Sequence, residues 1–408
     1  MTKGHPELVA PAGNLEKLKT ALKFGADAVY LGGQEYSLRA MADNFSTEDI
    51  GEGLRFAHDF GRRVYVAVNI LAHNRDIEAL PAYLDDLARI EVDGIIISDP
   101  GVLILAQKHC PNTPITMSTQ SNITNYLSAV FYLQQGVKRL VLARELSIVE
   151  ISEIKKRVPV ELEVFIHGAM CLSYSGRCWL SEALTGRDAN QGLCAHPCRY
   201  QYALQEEKRP GQYFPVYENE RGTYVMNSKD LCLVEHIGQL IDVGVDAFKI
   251  EGRMKSAYYV ASVVKTYREA IDSYLNGEPT DPVQWKEDLA RVATRPFTTG
   301  FALGDALDTM DFHKESMARQ VLFCGIVRDC DAAGRVLIEQ RAPFRPGDAL
   351  EYLVPGESVK HETAGSMYNV EGEAIDVARH PKELVWLASH YMLPAGSLVG
   401  RLADVKQQ

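Results

Sequence analysis

The sequence predicts a (β/α)8 TIM-like barrel followed by a small all-β barrel. Three observations carry this. Short Val- and Ile-rich runs alternate with helical periods from residue 7 to about 275, eight strands in all. The runs are nearly bare of polar residues, as parallel strands covered by helices are. After residue 320 the helical period gives way to short alternating runs separated by turn residues. Eight strand–helix units favour a closed barrel over an open doubly wound sheet.

Taken in order, Glu7–Ala10 leads into Leu15–Phe24, whose apolar residues recur three and four apart and which Gly25 closes. Ala28–Leu31 follows. Ile50–Phe60, closed by Gly61, precedes the strand Arg63–Asn69, and Leu80–Ile90 precedes Gly94–Ser98. A helix ending at Cys110 before Pro111 leads to Ile115–Ser118. Tyr126–Gln135, closed by Gly136, leads to Arg139–Ala143, and Ile148–Val158 to Leu162–His167. A helical pattern over Ser228–Gly244 leads to the eighth strand, Ala247–Glu251, and the helix Ala257–Leu275. Ala10-Pro11-Ala12-Gly13-Asn14 has too few glycines for a dinucleotide fingerprint.

The repeat breaks once, after the seventh strand, where an irregular insert runs from His167 to about Thr223. Loops after barrel strands open on one face, where barrel enzymes place their chemistry, and so long a loop is usually functional. From Gly277 the pattern reads as a linker to about residue 315. Then come Cys324–Arg328, Arg335–Gln340, Ala349–Leu353, Ala374–Val377, Glu383–Leu387 and Leu398–Leu402. The expected division is a barrel over 1–310, carrying the insert 167–223, and a β module over 316–406, with the boundary near 310–320.

At 408 residues, 46% hydrophobic and 24% charged, the chain is globular rather than disordered, collagenous or a disulfide miniprotein. With Lys+Arg 43 and Asp+Glu 54, the net charge of −11 supplies no global field toward nucleic acid or anionic lipid, so RNA would need a local patch. The N-terminus has no apolar core of about 7–15 residues for a signal peptide. The apolar run Gly94–Ala106 is split by Ser98-Asp99-Pro100, too short to span a bilayer. A cytoplasmic, reducing setting is expected, so the eight cysteines point to metal or redox roles rather than disulfides.

Four of them, Cys171, Cys178, Cys194 and Cys198, lie in the insert as C-x6-C-x15-C-x3-C. Four thiolates from one loop can close around zinc or an iron–sulfur cluster, or remain unligated. Structural zinc prefers paired C-x2–4-C knuckles; only Cys194 and Cys198 are so spaced, which favours a cluster. Cys110, Cys324 and Cys330 read as buried small hydrophobes. Cys232, placed in the helix after Asn227-Ser228-Lys229-Asp230, could replace one ligand.

Arg177, Arg187 and Arg199 flank the cysteines, and Lys249, Glu251, Arg253 and Lys255 follow the eighth strand. Strand six ends in Arg144-Glu145 and strand seven in His167. In a barrel these residues converge on one mouth, and arginine forks suit carboxylate or phosphate. His109, His196, His236 and His361 fall in no ligand spacing. Serine-hydrolase, zinc-protease, P-loop and Cys/His dyad signatures are missing or unconvincing.

Glu7-Leu8-Val9-Ala10-Pro11-Ala12-Gly13-Asn14, Gly25-Ala26-Asp27-Ala28-Val29-Tyr30, the run from His167 to Cys178 and Lys249-Ile250-Glu251-Gly252-Arg253 resemble peptidase family U32, the collagenase-like proteins. Arg187-Asp188-Ala189-Asn190-Gln191-Gly192, Cys198-Arg199-Tyr200 and the run from Gly222 to Leu231 resemble its bacterial tRNA-hydroxylating branch. The resemblance covers the barrel and continues weakly into the β module. It implies a prephenate-dependent, oxygen-independent enzyme that forms 5-hydroxyuridine at the tRNA wobble position, with tRNA (its anticodon loop) and prephenate as partners. It also implies a [4Fe-4S] cluster on Cys171, Cys178, Cys194 and Cys198. Under it, Arg177, Arg199 and Arg253 are expected to grip the prephenate carboxylates, and Lys249, Glu251 and His167 are candidates for proton transfer. Two readings remain beside it: a U32-type peptidase, and a partner protein in ubiquinone-type hydroxylation. The complete C-x3-C argues against the latter. The insert between Arg199 and Met226 is shorter than in longer members of the family.

Overall fold

Seven strands and six helices alternate before the insert in this computed structural model: β1 (Glu7–Pro11), α1 (Leu15–Lys23), β2 (Ala28–Gly32), α2 (Thr47–Asp59), β3 (Arg63–Val68), α3 (Asn74–Arg89), β4 (Gly94–Ile97), α4 (Pro100–His109), β5 (Ile115–Met117), α5 (Tyr126–Gln134), β6 (Arg139–Val141), α6 (Ile148–Arg157) and β7 (Glu161–Ala169). The structure describes residues 4–37, 44–170, 173–174, 177–178, 180–191, 193–195, 197, 204–205, 213–214, 217–219, 222–224, 229–304 and 320–403. Side-chain caps fix the helix starts. Asn14 accepts from Lys17 N, Asp99 from Gly101 N and Val102 N ahead of Pro100, and Ser46 and Ser147 close capping boxes with Asp49 and Glu150.

The insert contributes α7 (Leu180–Thr185) and two short antiparallel ladders, β8 (Leu204–Gln205) with β9 (Tyr213–Phe214) and β10 (Tyr217–Asn219) with β11 (Gly222–Tyr224). Then come β12 (Asp230–Cys232), α8 (Ile237–Val243) and β13 (Ala247–Ile250). Strands β1 to β7 pair in parallel in sequence order, and β13 pairs in parallel with both β7 and β1, in the register Glu7↔Ala247 and Val9↔Lys249. The eight-stranded parallel barrel is therefore closed, as expected.

Two packed layers hold it. Outward residues such as Leu8, Leu31, Val66, Ile97, Leu162 and Phe248 meet Leu18, Leu54, Leu84 and Val263 of the helices. Each such side chain contributes roughly 1.5–3 kcal/mol on burial. Inside the barrel only Val9, Ala28, Tyr30, Tyr65, Ile96 and Ala247 form an apolar cluster. Buried Glu7, Arg139, Glu163 and Lys249 share the interior with them.

Three expectations need correction. Helix α3 begins at Asn74, not Leu80, and passes through Pro81, because its buried stripe Leu80, Leu84 and Leu87 outweighs one lost backbone bond. Cys232 lies on a strand, not in a helix. Strand β7 overruns the barrel rim, and the edge it exposes captures Asp230–Cys232 antiparallel, so the helical segment begins only after it. The stretch read as a linker holds α10 (Pro282–Val292), capped by Asp281 and packed through buried Leu289, after α9 (Ala257–Asn276) and before β14 (Phe297–Thr298).

The C-terminal module is all-β, as expected. It comprises β15 (Val321–Cys330), β16 (Arg335–Gln340), β17 (Ala349–Leu353), β18 (Lys360–Thr363), β19 (Met367–Tyr368), β20 (Ala374–Ile375), β21 (Leu384–Ala388) and β22 (Leu398–Leu402). All pairs are antiparallel, in the order β18-β17-β22-β15-β16-β21-β19-β20, and the two end strands do not pair, so the sheet is a half-barrel. It has its own core, including Val327, Ile338, Phe344, Tyr352 and Val399. Buried Glu351 joins it to the barrel by accepting from the Tyr258 hydroxyl and the Arg291 guanidinium, and Arg341 meets Glu16 of α1 at 2.5 Å. The boundary expected at 310–320 falls largely on 305–319, outside the described residues. Among the described residues no helix is long and apolar enough to cross a membrane.

Candidate active site at the barrel mouth

At the carboxyl end of the barrel the inward positions turn polar. Asn69, Ser98 and Ser118 each follow the last residue of their strand, and Gln120 sits two further on. Asn69 Nδ2 donates to Gln120 Oε1 at 2.6 Å, Ser118 Oγ to the same oxygen at 3.0 Å, and Gln120 Nε2 to Asn69 O at 3.0 Å. Ser98 Oγ donates to Asn69 O at 3.2 Å. This ring of amides and hydroxyls fixes one half of the rim.

The other half is charged. Glu251 follows β13, and its Oε2 accepts from the Tyr30 hydroxyl at 2.9 Å. Arg253 is 4% exposed and donates to Ser37 Oγ at 2.9 Å. A Cβ at Gly32 would stand 2.3 Å from its guanidinium, so the end of β2 needs glycine there. Arg144 donates to Ala169 O at 2.9 Å, and its guanidinium carbon lies 4.2 Å from the centroid of the Phe165 ring.

Two of the expected proton-transfer residues sit elsewhere. Lys249 lies within the barrel, 2.5 Å from Glu163 and 4.2 Å from the centroid of the Tyr30 ring. Glu163 also meets Arg139 at 3.2 Å; Arg139 reaches Glu7 at 2.5 Å, and Glu7 accepts from the Tyr65 hydroxyl at 2.9 Å. Burial alone favours the neutral acid at Glu163, but the Lys249 charge, then that of Arg139, outweighs it and holds the carboxyl below its ordinary pKa. Lys249 is thus tied into the interior, one layer below the rim.

His167 faces the helical layer instead of the mouth. The register of β7 against β13 shifts beside it, and its ring packs against Tyr259, Tyr267 and Phe297. Burial, with a smaller push from Lys255, lowers its pKa to about 3, so it is a neutral imidazole. Of the three, Glu251 alone stands on the rim.

The insert folds down onto this mouth. Leu71 N donates to Asn190 O at 3.1 Å, and Arg177 Nε to Gln120 O at 3.2 Å. Asn190 also clamps Cys178, accepting from its N–H at 3.2 Å and donating to its carbonyl at 3.1 Å. Ala195 N donates to buried Ser181 Oγ at 3.0 Å, which fastens the Cys194 arm to the helix starting just after Cys178. Both cysteines are half-buried. These two thiols, hung from one short helix above the rim, fit half of a four-thiolate ligand set. Cys171, Cys198 and Arg199 lie outside the described residues. Among the described residues no three metal-ligating side chains come together.

Sequence reasoning missed Tyr30, Asn69, Ser98, Ser118, Gln120 and the interior Glu7, Arg139 and Glu163. One signal was present. Asn69, Ser98 and Ser118 are polar residues at the same place, ending otherwise apolar runs.

The sequence profile of peptidase family U32 matches residues 13–311, and that of the peptidase family U32 C-terminal domain matches residues 319–399. The chain is similar to tRNA hydroxylation protein P1 of Bacillus subtilis, 42% identical over 384 residues that cover 93% of this chain and 91% of the relative. It is 36% identical over 424 residues to tRNA hydroxylation protein P of Escherichia coli, covering 94% and 93%. It is also 35% identical over 334 residues to a collagenase of Porphyromonas gingivalis, covering 78% and 79%.

Proposed function

The chain belongs to peptidase family U32, and from that premise we propose that it is an RNA hydroxylase, acting at the wobble uridine of tRNA to form 5-hydroxyuridine in a prephenate-dependent, oxygen-independent reaction. The observation that carries this reading is the seating of the cysteine-bearing insert over a polar barrel mouth, in a chain that matches two tRNA hydroxylation proteins along nearly their whole length.

A wobble base lies in the single-stranded anticodon loop, so turning it out into the mouth costs far less than extracting a paired base. Arg177, exposed on the insert and anchored through Nε to Gln120, has the remainder of its guanidinium to offer a carboxylate of prephenate. Arg253 and Arg199 complete the proposed grip. Glu251, oriented by Tyr30, is the rim carboxylate available to hold or accept a proton. Lys249 stands over the Tyr30 ring that orients this carboxylate. Cys171, Cys178, Cys194 and Cys198 would hold a [4Fe-4S] cluster, which when bound supplies electron transfer or a Lewis-acidic iron. A cytoplasmic setting accords with a tRNA substrate.

The collagenase relative favours proteolysis as the second reading. His167 speaks against it, because it is enclosed by aromatic rings, and its cross-strand neighbour Cys232 is buried, which pushes the thiol pKa up and keeps it from acting as a nucleophile. Nucleoside mass spectrometry of tRNA from a strain lacking the gene separates the two. The expected result is loss of 5-hydroxyuridine, restored by the wild-type gene. Unchanged 5-hydroxyuridine, together with gelatin cleavage by the purified protein, would establish the peptidase.

A further inference from the structure

Where β12 leaves the insert, two polar groups are buried with nothing to bond among the described residues. Asp230 is 2% exposed and its Oδ1 has no hydrogen-bond partner there; Tyr259, on the first turn of α9, is 5% exposed and its hydroxyl has none. Buried polar atoms are nearly always satisfied, so two orphans at one place call for an explanation. They are neighbours. Lys255 lies 3.9 Å from Asp230 Oδ2 and 4.9 Å from the centroid of the Tyr259 ring. Burial first, then the charge of Asp230, Glu251 and Cys232, pushes the Tyr259 pKa well above 10, so the phenol keeps its proton.

The place borders the mouth, between the rim loop that carries Glu251 and the helical layer that holds His167. Asp230 pairs with Ala169 of β7, two residues before Cys171, and Lys255 belongs to the same loop as Glu251 and Arg253. A carboxylate oxygen is an acceptor only, whereas the protonated phenol and the ammonium donate. An acceptor beside donors complements a ligand edge that carries one N–H flanked by carbonyl oxygens. The uracil imide is such an edge.

We propose that Asp230 and Tyr259, with Lys255 over them, read the hydrogen-bonding edge of the target base: the imide N–H bonds Asp230 Oδ1, and an adjacent carbonyl accepts from the Tyr259 hydroxyl. This rests on the proposed action at uridine. The unliganded fold carries the cost of both orphans, and the base relieves it.

The test uses the whole chain, purified anaerobically, and two anticodon stem-loop RNAs that differ only in a wobble uridine or 3-methyluridine, which lacks the imide N–H. Wild type is expected to bind the uridine RNA about 10–100-fold more tightly. Asp230→Ala should bring that preference to within about threefold, and Tyr259→Phe should weaken binding of the uridine RNA about tenfold without lowering the melting temperature. Tyr259→Phe removes one oxygen, so its affinity decides the matter even if Asp230→Ala fails to fold. A folded Asp230→Ala protein that keeps the wild-type preference, or a Tyr259→Phe protein that binds the uridine RNA as wild type does, overturns the assignment, and so does a wild type that forms 5-hydroxyuridine yet does not distinguish the two RNAs. A wild type that binds neither RNA and forms no 5-hydroxyuridine overturns the functional reading itself.

Discussion

Replacing Lys249 by methionine leaves Glu163 inside the barrel with one cation, Arg139 at 3.2 Å, in place of two. Glu163 is 1% exposed and Lys249 4%, so water compensates neither. Breaking a buried ion pair by removing one partner costs roughly 3–5 kcal/mol, and the remaining arginine argues for the lower end, about 3 kcal/mol. At about 2–4 °C per kcal/mol for domains of 150–250 residues, the melting temperature should fall by about 6–12 °C. The loss depends on pH with a definite sign. The folded pKa of Glu163 is depressed, so its contribution is fully present above the unfolded value of about 4.3 and is lost as pH falls through the folded value. In the variant the carboxyl has lost its larger opposing charge and protonates more readily. The gap between wild type and variant is therefore widest near neutral pH and narrows as pH falls through the variant's folded pKa toward the lower wild-type one. Urea unfolding at neutral and mildly acidic pH measures it, with Glu163→Gln and the double variant closing a cycle. The double variant should recover part of the Lys249→Met loss, because no charge is stranded. A Lys249→Met protein within about 1 kcal/mol of wild type, or a double variant whose losses simply add, would refute the coupling and return Lys249 to the candidates for proton transfer.

Three further outcomes are expected. Below pH 6.5 unfolded chains take up a proton that folded His167 refuses until about pH 3, which costs wild type about 1.4 kcal/mol per pH unit in that window. His167→Phe lacks this penalty, so its unfolding free energy should fall less than that of wild type on acidification; parallel curves would contradict the buried neutral imidazole. Asn190→Ala removes the clamp on Cys178 and should lower iron bound per chain with little change in melting temperature, and full iron occupancy would count against the clamp. Glu351→Ala strands Arg291 and Tyr258 at the contact between barrel and β module, at a cost of about 3 kcal/mol. Faster cleavage between the two in limited proteolysis checks it, and a wild-type rate speaks against the contact.

The barrel was legible because both faces of its strands are covered, which leaves Val29, Val66, Ile96 and Leu140 in runs that periodicity detects. The errors share a cause. Leu80 reads as a helix start and Gly277 as the start of a linker, yet α3 begins at Asn74 and α10, capped by Asp281 with Pro282 in its first turn, follows Gly277, both held by packing from distant residues. Strand β12 is three residues long and exists only because β7 overruns its neighbour, which no local pattern encodes. At the mouth, the strand-end positions placed Glu251 and Arg253 on the rim, where they lie. They could not tell that Lys249, two residues earlier, faces a carboxylate 86 positions away. Asp230 and Tyr259 were invisible for the same reason, since the want of a partner is a property of three dimensions.

Iron and acid-labile sulfide per chain, determined after anaerobic purification of wild type and Cys194→Ser, test the account most directly. The expected result is about four of each in wild type, with a broad visible absorption that collapses in the variant. Wild-type protein carrying zinc or no metal, or a Cys194→Ser protein with its iron intact, would contradict it.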